Sequence, residues 1–485
     1  MTQPISDTLY FIGIGGVGMS GIARVAHNQG LNVSGSDLKS SRFTKQLEEA
    51  GIEVLYGQDA SNLPDGEPTV VVSTAILDDN PEYVEAKARG LNIVHRAQML
   101  AHLGRNLETL AVAGTHGKTT TSSMLASVLE AMGQSPTFLV GGIVREYASN
   151  AHSGNGKYYV VEADESDKSF THLSPSAMII TNVEPDHLDH YKDLNEIYNV
   201  FSRFISLLPQ GAPCVVCADD DALVKIAREA ADNVITYGFD DDCDLQITDI
   251  RPHGVSTDFT VRFKDGRTLE SSIKQNPGVH NVLNGSAVLA LIDAIGLDVN
   301  QAASALGEFT GVRRRFDLVG EAAGVTVVDD YAHHPTEIAA TIKAAKALDF
   351  KRVHVVFQPH RYSRAALFTE ILKDEFGSAF DKADTITFMD VYPAGETPIP
   401  GINGKTFLNV VLEHEGHPEA FYIPRRVDVA PRIADMVRQG DMVITMGAGD
   451  VTEIGRLIID NVQEKLQRGT FCSASGFASG ETDAS

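Results

Sequence analysis

A chain of 485 residues, 43% hydrophobic and 22% charged, holds apolar material for about three domains, and this composition excludes a disordered protein. Its 65 acidic against 40 basic side chains give a formal charge of -25, which opposes non-specific attachment to nucleic acid or an anionic membrane; any anionic ligand must be held by local Arg, Lys and N–H groups. No apolar run approaches the ~18 residues of a membrane span, and the start MTQPISDTLY lacks the basic beginning and apolar middle of a secretion signal, so a soluble cytoplasmic protein is expected.

Strand-like and helix-like runs alternate for most of the length, which predicts an α/β protein with mostly parallel sheets. In the first expected domain, 1–107, a strand over 9–14 turns through Gly13-Ile14-Gly15-Gly16-Val17-Gly18 into a helix over 19–29. A second strand over 32–36 then delivers Asp37. This is the dinucleotide-type fingerprint, GxGxxG after a strand with an acid ~20 residues on to meet a ribose or base. Taken alone it equally suits a nicotinamide dehydrogenase, or a glycine turn with no ligand. The polar stretch from His102 to Glu108 reads as a linker.

The second expected domain, 108–320, opens with an apolar strand that runs through Gly114-Thr115-His116-Gly117-Lys118-Thr119-Thr120 into a helix. Backbone N–H groups and the positive end of that helix can face the phosphates of ATP, Lys118 can reach the terminal ones, and the Thr119 hydroxyl can ligate Mg²⁺. The spacing between Gly114 and Gly117 is shorter than in the usual GxxxxGK loop, which points away from motor ATPases and GTPases. A strand over 158–161 then ends in Glu162-Ala163-Asp164-Glu165-Ser166-Asp167, and one over 177–181 in Asn182-Val183-Glu184-Pro185-Asp186-His187. Carboxyl ends of strands are where ligands bind in open α/β sheets. Glu162 and His187 can hold Mg²⁺ together with Thr119, and two ions suit the pair better than one; an acid cluster after a strand also arises as a helix cap or solvated turn. Cys214, Cys217, Cys243 and Cys472 lack the pairing of a zinc site and read as reduced, buried thiols. From Asn276 to Asn284 the chain enters a helix whose amides could read an adenine edge, or which Asn281 could simply cap. Arg313, Arg314 and Arg315 form a basic run after Gly311, and an arginine against the γ-phosphate would stabilise transferring charge.

The third expected domain, 321–472, has strands over 325–330, 353–357 and 442–445 that each deliver polar residues, and 473–485 reads as a disordered tail. Arg361 and Arg364 have the spacing to clamp a carboxylate. ATP, metals, a second anion site and a carboxylate clamp together point to activation of a carboxylate by phosphoryl transfer, followed by displacement of the phosphate by an amine. Each charge-spreading donor would supply on the order of 3 kcal/mol of barrier lowering.

The series GIGGVGMSGIA, GTHGKTTT, EADESD, TNVEPDHLDHY, GVHNVLN, GVRRRF, DDYAHHPTEI, FQPHRYSR and MGAGD, from about Tyr10 to about Ile458, resembles the Mur ligases of peptidoglycan synthesis, in particular the branch that adds alanine. The resemblance implies three domains: a Rossmann-like UDP-binding domain, a central P-loop domain, and a Rossmann-like domain for the amino acid. It implies an ATP-dependent ligase that joins L-alanine to the lactyl carboxylate of UDP-N-acetylmuramate through an acyl phosphate and a tetrahedral intermediate. Lys118, Glu162, His187 and Arg315 would be catalytic. Gly114, Thr115, His116, Gly117, Lys118, Thr119, Thr120, His280, Asn281, Asn284, Arg315 and Asp330 would bind ATP, with Mg²⁺ on Thr119, Glu162 and His187. Gly15, Gly16, Val17, Gly18, Asp37, Ser73 and Arg96 would bind the UDP-sugar, and His333, Arg361 and Arg364 the alanine. Several sibling ligases carry a carbamoylated lysine four residues after a tyrosine, where Ser202 follows Tyr198 here, so no carbamoyl-lysine is expected. Small-molecule substrates, no nucleic-acid or membrane partner, and a monomer or homodimer complete the expectation.

Overall fold

Runs of β-branched and aromatic residues too short for a helix, such as Tyr158-Tyr159-Val160-Val161, form strands buried on both faces, as parallel sheets covered by helices require. The computed structural model describes residues 4–165, 169–186 and 191–471 and builds three such sheets.

The first sheet arranges β1 (Thr8–Ile12), β2 (Asn32–Asp37), β3 (Glu53–Tyr56), β4 (Thr69–Val72) and β5 (Ile93–His95) as β3-β2-β1-β4-β5, all parallel. This is the order of a dinucleotide-binding domain up to its fifth strand. Helices α1 (Val17–Asn28), α2 (Arg42–Glu49), α3 (Pro81–Ala88) and α4 (Arg96–Leu103) flank it. The expected linker is shorter than 102–108: His102 and Leu103 close α4, and Glu108 opens the next strand, because Leu103 is apolar and packs into the core.

The second sheet contains β6 (Glu108–Ala113), β7 (Thr137–Val144), β8 (Ser149–His152), β9 (Tyr158–Glu162), β10 (Ala177–Ile180), β11 (Cys214–Cys217), β12 (Val234–Gly238), β13 (Leu245–His253), β14 (Ser256–Phe263) and β15 (Thr268–Ile273). Their order is β15-β14-β13-β12-β11-β10-β6-β9-β7-β8, parallel from β13 to β7 with β8 antiparallel at the edge. Around it lie α5 (Lys118–Ala131), α6 (Leu194–Ile205), α7 (Asp221–Ala230), α8 (Val279–Ala294) and α9 (Val299–Leu306). Since α8 starts at Val279, Asn281 lies inside its first turn, and the reading of that residue as a helix cap does not hold. Helix α1 packs on β8 through Gly21, where an added Cβ would lie 3.0 Å from Leu139, and Asn150 Nδ2 donates to Val17 O at 3.0 Å.

The third sheet arranges β16 (Asp317–Ala322), β17 (Val325–Asp330), β18 (Val353–Phe357), β19 (Thr385–Phe388), β20 (Glu419–Tyr422) and β21 (Met442–Met446) as β16-β17-β21-β18-β19-β20. Every neighbouring pair is parallel except β16 with β17. Because β16 starts at Asp317, the sheet begins before the expected division at 320. It carries α10 (Pro335–Lys346), α11 (Lys373–Ser378), α12 (Gly404–Glu413), α13 (Arg426–Met436) and α14 (Thr452–Gln467). One face packs Val327, Val356 and Val443 against Ile433, Ile454 and Ile458; the other gathers Phe357, Phe380 and Phe388 with ring centroids 5.3 to 5.6 Å apart.

By packing, the chain forms two units. One holds the residues up to Ile250 with Asp258–Ile273 and Asn281–Val312; the other holds Arg251–Thr257, Lys274–His280 and the chain from Arg313. Among the described residues no helix is long and apolar enough to cross a membrane, and Cys214, Cys217 and Cys243 are buried free thiols. His187, Cys472 and the expected tail 473–485 lie outside the described residues.

Candidate active site

In the first unit, β6 ends on the glycine-bracketed lysine, and both strands paired with β6 end in polar residues: β9 in Glu162 and β10 just before Thr181 and Asn182. The loop needs its glycines. Gly114 sits at φ 132 with Thr181 Oγ1 only 2.1 Å from where a Cβ would stand, and Gly117 at φ 83 with Asn284 Oδ1 at 2.7 Å. The end of β10 clamps the loop. His116 N donates to Asn182 Oδ1 at 2.9 Å, Asn182 Nδ2 to His116 O at 3.1 Å, Thr115 N to Asn182 O at 3.0 Å, and Glu184 N to Thr115 Oγ1 at 2.9 Å. Gly117 then enters α5, whose first residues Lys118, Thr119 and Thr120 present N–H groups with no earlier helical carbonyl to accept them.

Lys118 curls over this loop. Its Nζ donates to Gly114 O at 2.6 Å and Thr115 O at 3.1 Å and lies 2.9 Å from both oxygens of Glu165, which is 2% exposed. Burial works to lower the Lys118 pKa, but Glu165, Asp164 and Glu162 outweigh it and raise the value, so the ammonium stays charged. Burial pushes Glu165 up to about 7 against the pull of Lys118. Glu162 is likewise raised by burial; its Oε1 accepts from Thr119 Oγ1 at 3.0 Å and its Oε2 from Gly141 N at 2.6 Å. On α8, Asn281 and Asn284 are joined at 3.2 Å, with Asn284 against Gly117. Ser166, Asp167 and His187 lie outside the described residues, so the expected second-metal histidine has no geometry here.

At the first sheet, the residues expected for the UDP-sugar gather at the carboxyl ends of β1, β2, β4 and β5. Gly15 N donates to Asp37 Oδ2 at 2.9 Å, and a Cβ on Gly15 would meet that oxygen at 2.8 Å. Asp37 therefore shapes the turn itself. Gly16 precedes α1 without a side-chain cap, Val17 and Gly18 are exposed in its first turn, Ser73 follows β4, and Arg96 Nη1 lies 3.8 Å from the Cβ position of Gly18.

In the second unit, β17 delivers Asp329 and Asp330. Arg314, held at φ 63, is paired through Nε with Asp329 at 3.0 Å and donates to Gly447 O at 2.6 Å. Asp330 accepts from Phe316 N at 2.7 Å and Ala332 N at 2.8 Å, and burial lifts it to about 6 although Arg315 pulls the other way. Arg315 lies with its guanidinium 5.2 Å from the Tyr331 ring centre and 3.8 Å from Glu337. His280 is held neutral, down to about 4, by burial. After β18, Arg361 adopts φ 67 and its N–H donates to Tyr392 O at 2.8 Å, a left-handed conformation that a non-glycine residue holds only where the surroundings impose it. Among the described residues its buried Nε has no hydrogen-bond partner, nor does Nδ1 of His360, whose pKa is lowered to about 4 by burial and by Arg364 and Arg361. Gly447 and Gly449 let the chain after β21 press on this turn: a Cβ on Gly449 would stand 2.4 Å from Gln358 Oε1 and 2.7 Å from Tyr392.

Residues 8–107 match the Mur ligase family catalytic domain, 112–292 the Mur ligase middle domain, and 314–449 the Mur ligase glutamate ligase domain. The chain belongs to the Mur ligase family. It is 44% identical over 458 residues to the UDP-N-acetylmuramate--L-alanine ligase of Syntrophotalea carbinolica, covering 94% of this chain and 98% of that protein. In structure it is similar to the UDP-N-acetylmuramate-alanine ligase of Thermotoga maritima, with TM-score 0.78 and 31% identity over 94% and 99% of the two chains. It is also similar to a murein peptide ligase from Psychrobacter arcticus, with TM-score 0.68 and 26% identity over 94% and 98%.

In this Mur ligase five residues of the site carry little or no signal in the sequence. Glu165 was one acid among several beyond β9, where strand alternation no longer tells which side chain turns inward. Thr181 and Asn182 were read only as the approach to an acidic motif. Gly141, which cradles Glu162, left no signal but a Gly-Gly pair within an apolar run. Glu337 stood visible in DDYAHHPTEI, but only the folded helix brings it against His333 and Arg315.

Proposed function

We propose that this chain is an ATP-dependent amide ligase that joins L-alanine to the lactyl carboxylate of UDP-N-acetylmuramate in cytoplasmic peptidoglycan precursor synthesis. The carrying observation is the set of partly buried Lys118 and Glu162 with buried Glu165 around a glycine-bracketed turn, in a chain 44% identical to a UDP-N-acetylmuramate--L-alanine ligase over 94% of its length. We assign the sugar nucleotide to the domain 1–107 through Gly15, Gly16, Val17, Gly18, Asp37, Ser73 and Arg96. ATP goes to the central domain from 108, and the amino acid to a domain that opens near Arg313 rather than at 321.

The N–H groups of Lys118, Thr119 and Thr120 would bind the phosphates, with Gly114, Thr115, His116 and Gly117 shaping the loop around them, and Lys118 Nζ would exchange Glu165 for the terminal ones. Asn281 and Asn284 support the nucleotide beside Gly117, with His280, Arg315 and Asp330 as its further contacts. A divalent cation fits Thr119 and Glu162: a partly buried carboxylate, held by Gly141 N–H and already facing the hydroxyl, offers hard oxygen donors. Mg²⁺ bound there would neutralise charge on the transferring phosphate. His187 is our candidate for a second ion. In the reaction, a lactyl carboxylate oxygen bonds to the γ-phosphorus and ADP leaves; the amine nitrogen then bonds to the acyl carbon, loses a proton, and the tetrahedral adduct collapses to the amide and phosphate. Arg361 and Arg364 would hold the alanine carboxylate, and the unsatisfied Arg361 Nε supports that role. His333 would face its amine. We propose a monomer or homodimer acting on small molecules.

The test is ADP release by the purified protein with substrates omitted one at a time. Release requiring UDP-N-acetylmuramate, L-alanine and Mg²⁺ together supports the reading; release without the sugar nucleotide, or with a tripeptide in preference to alanine, refutes it.

A further inference from the structure

The turn that carries Arg361 and Arg364 is held from outside by the loop after β19. β18 and β19 pair in parallel up to Phe357 and Phe388, and the pairing resumes beyond the strands as a bridge between His360 and Tyr392. There Tyr392 N donates to Pro359 O and Arg361 N to Tyr392 O, both at 2.8 Å, and the His360 and Tyr392 rings stack with centroids 5.8 Å apart. The loop then reverses. Ala394 at φ 50 and Gly395 at φ 87 form a tight turn closed by Glu396 N on Pro393 O at 2.9 Å, a pattern that needs both central residues left-handed. The reversal brings Glu396 against Ser363: Ser363 N donates to Oε2 at 3.0 Å and Ser363 Oγ to Oε1 at 2.6 Å. Burial works to raise the Glu396 pKa, but the Ser363 bonds, the Tyr362 N–H and the charge of Arg361 prevail and lower it, so the carboxylate is ionised.

We propose that Glu396 is a positioning residue for the amino-acid site: by gripping Ser363, which lies between Arg361 and Arg364, it fixes how the two arginines are set to receive the substrate carboxylate. The inference rests on the assignment of that arginine pair to the alanine carboxylate. A bidentate arginine contact is geometrically exacting, and Arg361 at φ 67 keeps its left-handed conformation only while its surroundings impose it. Tyr392 O holds the chain at Arg361 itself, and Glu396 holds it two residues later. Charge alone would act in the opposite direction, because a carboxylate near Arg361 competes with the substrate's own. Removing Glu396 therefore weakens alanine binding if position is what matters and strengthens it if charge is.

The assay is ADP release with each substrate varied in turn. Glu396→Ala is expected to raise the KM for alanine roughly 10-fold, with kcat and the KM values for ATP and UDP-N-acetylmuramate unmoved. Glu396→Gln keeps an oxygen for Ser363 N and offers an N–H that Ser363 Oγ can accept, so its alanine KM is expected within about 3-fold of wild type. Ser363 is exposed, and Ser363→Ala removes only the Oγ bond; a rise of about 3-fold is expected, and none beyond that of Glu396→Ala when the two are combined, since they share one contact. An alanine KM that is unchanged or lowered in Glu396→Ala, or a rise matched by the other two substrates, overturns the proposal. If that variant does not fold, an unchanged alanine KM in Ser363→Ala overturns it instead. Alanine-dependent ADP release with a flat KM across the variants sinks the positioning role alone, whereas a wild-type protein that releases no ADP with alanine sinks the underlying reading and this role with it.

Discussion

Gly141→Ala isolates the carboxylate that we assign to the metal. Gly141 is exposed and its φ lies outside the left-handed region, so alanine is tolerated there by the backbone. Its Cβ, however, would stand 2.7 Å from both oxygens of Glu162 and 2.9 Å from Cδ. An ordinary carbon–oxygen contact of ~3.3 Å requires the carboxylate to retreat by roughly 0.6 Å, against the ~0.2 Å that metal–ligand distances tolerate. The Gly141 N–H bond of 2.6 Å that holds Oε2 is strained by the same movement. We expect kcat to fall about 10- to 100-fold, a barrier increase of ~1.4 to ~2.8 kcal/mol, and the Mg²⁺ concentration for half-maximal activity to rise about 10-fold. Thermal unfolding should move modestly, by roughly 1 kcal/mol, since the clash from β7 falls on the Glu162 carboxylate and not on the apolar core. The assay is coupled ADP release over a Mg²⁺ titration, with unfolding followed in parallel. Wild-type kcat and Mg²⁺ dependence in a folded Gly141→Ala protein would refute the assignment of Glu162.

Two further outcomes follow from the charged pairs. Glu165→Gln removes the carboxylate that occupies Lys118, so the dissociation constant of ATP measured by calorimetry should fall about 5- to 10-fold, or ~1 kcal/mol; a weaker constant would mean that Glu165 holds Lys118 where the phosphate needs it. Asp441, 1% exposed just before β21, is pushed up by burial, but hydrogen bonds from His354, Arg352 and the Arg438 N–H prevail and hold it at about 2, below its ordinary 3.8. A depressed carboxylate contributes stability that is present above the unfolded value and lost as pH falls through the folded one, about 2 kcal/mol here, lost progressively below pH ~4. Urea unfolding should therefore show that loss in wild type and a flatter profile in Asp441→Asn; identical slopes would refute it.

Much of the active region was legible before folding because its chemistry follows strand ends. The Gly114–Lys118 turn, the turn from Gly13 to Gly18, and the arginines at 361 and 364 each follow an apolar run, and that juxtaposition is a local property. Local pattern also predicted α/β alternation and mostly parallel sheets. It failed where the decision was non-local. Asn281 looked like a cap because the helix start cannot be read past Pro277-Gly278, and the linker after residue 102 looked polar although Leu103 is drawn into the core.

By itself, then, the sequence determined the strand-to-helix turns and their glycines, because φ-permissive residues, N–H groups and charges act within a few residues of one another. Only the tertiary structure decided which acid meets which base. Glu165 reaches Lys118 because β9 pairs with β6, Asn182 clamps His116 because β10 pairs on the other side, and Gly141 cradles Glu162 because β7 lies next to β9. Strand order in a parallel sheet is set by burial of both faces over the whole domain, so these partners, up to 66 residues apart, have no signature in local spacing.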